Sequence, residues 1–269
     1  MDSYHEKDYW DARYQRRGLD RVGSASGTLA LGGSGRYNKY LYLLREEALE
    51  RALSRHRAEL RGEQVLDVGC GSGYWADFFQ RKGVREYTGI DVSQVAISLV
   101  SQRFPHYRFY QGDLGEDFPL RDRFDLVTAF DVLYHITDDS KFEQALMNLS
   151  RLCAPNALVV ITDYFDDRQT ISAAHVKHRS LETYRESLSR HGFEVLSIAP
   201  VFYHLGRVVG LTVKDMNHSW MTNFLLAPFY FRGWFTFVLY HLDRLVLPKV
   251  DPLSPRAKTK LVLAKRRPN

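Results

Sequence analysis

The chain has little cysteine. Cys70 and Cys153 are the only two among 269 residues, so no disulfide framework holds the fold. Both sit inside apolar patterns, which makes a reducing, cytoplasmic setting the expectation. An apolar leader is missing as well. The start, MDSYHEKDYWDARYQRRG, is polar and charged, which argues against secretion. The sequence shows no internal repeat. Its ten histidines are scattered without ligand spacing, so no metal is expected. No apolar run is long enough to span a bilayer, because Pro228, Arg232 and Gly233 interrupt PFYFRGWFTFVLYHLDRLVLP. Charge of one sign is only mildly in excess, at +5 net. Lys258, Lys260, Lys265, Arg266 and Arg267 gather near the C-terminus, which reads as a solvated tail, and no nucleic-acid partner is expected.

What is present is ample core material, 45% apolar, enough to fill one large α/β domain with an insert. Residues 18–36 are rich in glycine and serine and read as a mobile loop. Apolar residues then recur at Tyr37, Tyr40, Leu41, Leu44, Ala48, Leu49 and Leu53, which is helical spacing. From there strand and helix patterns alternate. VLDV (65–68), YTGID (87–91), HYRFYQGD (106–113), FDLVTAFDVL (124–133), ALVVITDYF (157–165), FEVLSIAPVFY (193–203) and KLVLAKR (260–266) read as strands. YWADFFQRKG reads as a helix ending at Gly83, and Ser93 as the cap of VAISLVSQRF. Ser140 with Glu143 reads as a capping box, and Ser180 as the cap of a helix stopping at Gly192. This alternation implies a mostly parallel sheet covered on both faces.

The stretch VLDVGCGSGYW (65–75) places Gly69, Gly71 and Gly73 directly behind a strand. Alternating glycines let the chain turn tightly and let backbone approach a ligand. Asp91 closes the next strand, 24 positions after Asp67, where a carboxylate accepts both hydroxyls of a ribose. A dinucleotide site needs G-x-G-x-x-G, yet position 74 is Tyr and no phosphate-pairing lysine follows. Asp67 is also an awkward neighbour for phosphate, and a carboxylate there suits a cationic ligand.

These segments resemble the class I S-adenosylmethionine-dependent methyltransferases. LDVGCGSG is similar to their first motif, GIDVS to the segment with the ribose-binding acid, and QGDL (111–114) to the adenine-contacting segment. FDLVTAFDVLYHI and LCAPNALVVITDYF resemble their fourth and fifth strands. The family's Pro-Gly-Gly turn is here Pro155-Asn156-Ala157; asparagine tolerates left-handed angles, so the turn is expected to survive. The resemblance implies a Rossmann-like, seven-stranded, mostly parallel sheet with a terminal antiparallel hairpin and S-adenosylmethionine as cofactor. Gly69, Gly71 and Gly73 then pass under its methionine part, and Asp67 helps hold the loop and its ammonium through backbone or water. Asp91 takes the ribose and Val92 packs on adenine. Asp113 with Leu114 flanks the adenine edge and Phe130 offers its carbonyl. Tyr14, Tyr37 and Tyr40 are candidates to close over the cofactor, with Tyr37 expected to bind it and Tyr14 to bind the acceptor. The organisation expected is a helical cap (1–60), the cofactor-binding core (61–203), an aromatic helical insert between the last two strands (204–259), and a final strand with a basic tail (260–269).

Methyl transfer needs alignment above all, and a hydroxyl acceptor also needs somewhere to leave its proton. His135, just past the fourth strand, is the candidate base, with His175 the second. Arg179 is a candidate for an acceptor carboxylate or phosphate. Phe231 and Trp234 of the insert are expected to form a lid over a bulky apolar, aromatic or glycosylated metabolite. The reading is a cytoplasmic O-methyltransferase of small molecules. The alternatives are a membrane-associated or lipid-linked acceptor, nitrogen or carbon methylation, a dehydrogenase, and a non-catalytic S-adenosylmethionine-binding protein. A homodimer and membrane-surface contact stay open.

Overall fold

Strands that are apolar on both sides need cover on both faces, and this chain supplies it. The computed structural model describes residues 5–17, 35–56, 60, 62–116, 120–167, 170–205 and 233–268. The strands of its main sheet are β1 (Gln64–Val68), β2 (Glu86–Asp91), β3 (Arg108–Gln111), β4 (Phe124–Phe130), β5 (Cys153–Tyr164), β8 (Phe193–Pro200) and β9 (Thr259–Arg266). The order is β3-β2-β1-β4-β5-β9-β8. The first five run parallel, and β9 lies antiparallel between β5 and β8. The expected terminal hairpin is therefore present.

The described helices are α1 (Glu6–Arg17), α2 (Gly35–Arg55), α3 (Tyr74–Arg81), α4 (Gln94–Arg103), α5 (Asp139–Leu152), α6 (Leu181–Arg190) and α7 (Gly233–Val246). Alternate residues of one strand serve opposite cores. In β9, Leu261 and Leu263 join α2 and α3, whereas Val262 and Ala264 join α5 and α6. Each such leucine contributes about 1.5–3 kcal/mol by burial. The apolar spacing of α2 buries Leu41, Leu44, Ala48 and Leu49 completely or nearly so.

Several local signals work as the sequence suggests. Ser93 accepts from the Ala96 N–H, Ser180 accepts from the Thr183 N–H, and Asn156 is left-handed at φ 66°. Others differ. The cap of α5 is Asp138, which accepts from the Lys141 N–H; Ser140 donates to that same carboxylate, and Glu143 faces Ser187, Arg190 and His191. A capping aspartate two residues earlier out-competes the box because its carboxylate is the stronger acceptor. The third strand is shorter, ending where Gly112 leaves the ladder.

Two elements were not read from the sequence. One is α1. The other is a separate antiparallel pair, β6 (Thr170–Ala173) and β7 (Val176–His178), with His175 in its turn. Among the described residues of the proposed insert, α7 packs on α2: Tyr240 Oη donates to Glu47 at 2.6 Å, and Arg244 pairs with Glu47 at 3.0 Å. The Asp243 carboxylate accepts three backbone N–H groups, from Tyr203, His204 and Leu205, and so ties α7 to the chain leaving β8. Phe231 lies outside the described residues. Of the described helices, none is long and apolar enough to cross a membrane.

Candidate active site

The cleft lies at the carboxyl ends of β1, β2 and β4, where open α/β sheets take ligands. Its floor is the turn after β1. Gly69 and Cys70 donate their N–H groups to the Ile90 carbonyl at 2.7 and 3.0 Å, which clips the turn to β2. Gly69 has φ 72°, and a Cβ on it would stand 2.2 Å from Val132 Cγ2. Gly71 has φ 48°, and its Cβ would stand 2.7 Å from Tyr14 Oη. Any larger residue at either position would push Val132 or Tyr14 out of place, besides straining the backbone. Gly73 does not border the cleft; it opens α3 in a left-handed conformation.

Asp91 borders the cleft at the end of β2. Its two oxygens accept from the Gly71 N–H at 3.0 Å and the Ser93 N–H at 2.9 Å. Burial pushes its pKa up to about 6, against the opposing pull of those two donors. Each oxygen keeps a second lone pair for a ligand hydroxyl. Val92, Asp113, Leu114 and Phe130 border the same space, as does Tyr14. Trp75 stacks on Phe130 with 3.7 Å between centroids, making a flat apolar wall.

Asp67 stands elsewhere. Its carboxylate is completely buried and accepts from Tyr87 Oη at 2.7 Å and Thr128 Oγ1 at 2.8 Å. Burial holds its pKa up at about 7. It braces β1 against its two neighbours and does not border the cleft, so any support it gives the glycine turn or a ligand passes through backbone or water.

His135 borders the cleft. Its Nδ1 lies 2.7 Å from the His175 carbonyl oxygen. A carbonyl only accepts, so Nδ1 carries the proton and Nε2 keeps its lone pair. Burial drives the ring pKa down to about 3, so the ring is neutral across the ordinary pH range. His175 itself does not line the cleft. Its ring stacks on Tyr9 at 4.4 Å and its backbone fixes His135, which makes it a positioning residue. Arg179 is a second correction. Its guanidinium is buried, donating to Asp139 at 2.9 Å and to the Ile136 carbonyl at 2.9 Å, and lying over Phe142 at 4.1 Å. It holds the loop after His135 to the start of α5 and does not border the cleft. The side chains of Tyr37 and Trp234 lie outside the described residues.

Residues that the sequence reading missed complete the site. Glu6 and Trp10 of α1 border the cleft together with Tyr14. Their spacing of four puts all three on one helical face, a signal that was legible in the sequence. Asp11 holds α1 in place by accepting from Ser93 Oγ at 2.5 Å and the Val95 N–H at 3.2 Å. At the opposite end Arg45 pairs with Asp131, a left-handed residue at φ 57°, with Tyr42 and Tyr134 alongside. Asp131 also accepts from Thr162 Oγ1 at 3.1 Å.

The residues fit S-adenosylmethionine. The glycine turn forms a cradle that a Cβ would fill, Asp91 offers paired acceptors for a ribose, and the carboxylates of Asp91, Asp113 and Asp131 suit a cation. When bound, the cofactor supplies a methyl group on a positively charged sulfur.

Comparison with known proteins agrees. The methyltransferase domain family matches residues 37–198. A protein of Mycolicibacterium smegmatis described as a probable S-adenosylmethionine-dependent methyltransferase is 29% identical over 166 residues, 59% of this chain and 61% of that protein. A ubiquinone biosynthesis O-methyltransferase of Rhodopseudomonas palustris strain HaA2 is 33% identical over 105 residues, 38% of this chain and 40% of its own length. The match thus spans less than two thirds of either relative. Among solved structures, phosphoethanolamine N-methyltransferase 2 of Haemonchus contortus aligns with a TM-score of 0.61 at 17% identity, covering 100% of this chain and 61% of that one. Magnesium protoporphyrin IX methyltransferase of Synechocystis aligns at 0.57 and 14% identity, covering 99% of each chain. At such identities these two show the fold alone. With more than half of its length matched, the chain belongs to the methyltransferase domain family, the class I enzymes dependent on S-adenosylmethionine.

Proposed function

We propose that this protein transfers a methyl group from S-adenosylmethionine to a hydroxyl oxygen of a small molecule with a bulky apolar or aromatic body. The observation that carries the reading is the His135 ring, which borders the cleft with its Nδ1 proton fixed on the His175 carbonyl, so that its Nε2 keeps a lone pair. A neutral imidazole accepts a hydrogen bond from a hydroxyl and orients its oxygen. Its low pKa does not prevent proton uptake. As the oxygen gains a methyl group it becomes a far stronger acid than imidazolium, so its proton passes to Nε2. Trp10, Trp75 and Phe130 offer the apolar body flat surfaces. Similarity to a ubiquinone biosynthesis O-methyltransferase supports an oxygen acceptor. The test is mass spectrometry of reactions with catechols and hydroxyquinones beside amines of matched size. O-methyl products support the proposal, and exclusive N-methylation would reject it.

A second reading, an acceptor held at a membrane surface, draws support from α7. Phe237, Val238, Leu242 and Leu245 are exposed on it, Leu245 at 69%. Amphipathic helices with exposed aromatic and aliphatic residues rest in lipid interfaces. Sedimentation with anionic vesicles, comparing the unaltered chain with Phe237→Ser and Leu245→Ser together, tests this reading; equal recovery in the pellet would discard it.

A further inference from the structure

The first turn of α1 brings a second carboxyl group to Asp113. Glu6 borders the cleft beside Gly112, Asp113 and Leu114, the stretch that follows β3. Glu6 and Asp113 border the same cleft, and Asp113 is close enough to disfavour a charge on Glu6. Asp113 also accepts from the Gly115 N–H at 2.8 Å and from Lys141 Nζ at 3.3 Å, and Lys141 reaches Glu116 at 2.9 Å. Among the described residues, the charged groups that face Glu6 are thus Asp113 and Glu116 from the loop after β3 and Lys141 from α5. One ammonium serves three carboxyl groups, and the corner of the cleft is short of donors.

Glu6 does not reach this corner by chance packing. Four and eight residues on, Trp10 and Tyr14 face the same cleft, and Asp11 fixes α1 to the start of α4. The helix therefore sets Glu6 over the cleft whatever occupies it.

We propose that Glu6 is a cofactor-specificity residue: with Asp113 it forms a paired acceptor for the exocyclic amine of the adenine, so that α1 reads the base it covers. This rests on the assignment of the cleft to S-adenosylmethionine. An amine at position 6 of a purine brings two N–H donors, one for each carboxyl. A 6-oxo purine brings an acceptor, which ionised carboxylates oppose and only a protonated Glu6 could meet. The arriving amine also displaces the proton that Glu6 holds when the site is empty. Burial, and after it the neighbouring Asp113, hold the Glu6 pKa up at about 7, so Glu6 carries part of a proton at neutral pH. Donation from the amine stabilises the ionised form, and binding then releases the proton. Cofactor affinity accordingly rises with pH until about 7 and is level above it.

The probes are S-adenosylhomocysteine and its 6-oxo analogue S-inosylhomocysteine, titrated calorimetrically into the full chain at pH 7 in two buffers of different ionisation enthalpy. The unaltered chain is expected to favour the amino form by at least ~100-fold and to release a fraction of a proton on binding it. Glu6→Gln, whose amide also donates, is expected to narrow that preference by about tenfold through tighter binding of the 6-oxo form, and to abolish the Glu6 part of the proton release. Glu6→Ala is expected to weaken the amino form about tenfold without gaining the 6-oxo form. Thermal melts confirm that each variant is folded. An unchanged preference and unchanged proton release in Glu6→Gln would overturn the assignment of Glu6 alone. Failure of the unaltered chain to bind either thioether would overturn the cofactor assignment beneath it.

Discussion

The Gly71 N–H donates to the Asp91 carboxylate across 3.0 Å, joining the glycine turn of the first strand to the acid of the second. The acid thus does two things: it offers acceptors to a ribose, and it holds the turn that lies beneath the ligand. Replacing it separates these roles.

Asp91→Asn keeps the shape and loses the charge. S-adenosylhomocysteine affinity should fall by ten- to a hundredfold, because charge-assisted hydrogen bonds contribute ~1.5–3 kcal/mol each. Asp91→Ala should in addition lose ~1–3 kcal/mol of stability, since the Gly71 and Ser93 N–H groups are then left without their acceptor. Calorimetry and urea unfolding report the two effects separately; full affinity in Asp91→Asn would remove the ribose assignment.

Asp67 should make the ligand-free protein less stable as pH rises. Its carboxyl has a pKa of about 7 in the fold against 3.8 as the ordinary value. The folded state therefore binds more protons than the unfolded state between those values, so stability falls with pH through that window and is level above it. The expected size is on the order of a few kcal/mol. Asp67→Asn should flatten the melting temperature between pH 4 and pH 7. An unchanged slope in that variant would assign the effect to Asp91 or Glu6.

His135→Ala should cut turnover by roughly 10²–10⁴ with cofactor affinity nearly kept. With a ring pKa of about 3, no loss of rate from protonation of His135 is expected between pH 5 and pH 8. A rate limb near pH 6.5 that vanishes in His135→Ala would show that the ring is more exposed in the working enzyme than in this structure.

The Arg45–Asp131 pair should be costly to break from one side. Arg45 is 6% exposed, lies over Phe202 at 4.7 Å and neutralises a carboxylate held in a left-handed conformation. Arg45→Met should lose about 3 kcal/mol, the low end for a buried pair because Asp131 partly faces the cleft. Adding Asp131→Asn should recover much of that loss. A double variant no more stable than Arg45→Met would mean that packing against Phe202, not the charge, is what Arg45 supplies.

The parallel sheet, the terminal hairpin, the glycine turn and the placing of Asp91 at a strand end are legible along the chain. Each of these is written in a local pattern: β9 alternates between two cores, so Leu261 and Val262 are both apolar, and Gly69 and Gly71 must lack a Cβ where Val132 and Tyr14 come close. Tertiary structure decided what the polar side chains do. Arg179 and His175 looked like acceptor groups, yet one is spent on Asp139 and the Ile136 carbonyl, and the other holds His135 through its backbone. Tyr9 meets His175 from 166 positions away, and Glu6 borders the same cleft as Asp113. Such pairings follow no period along the chain. A polar side chain's partner, tautomer and pKa depend on which distant segment desolvates it, and that is settled only when α1 and the β6–β7 turn pack over the ends of the sheet.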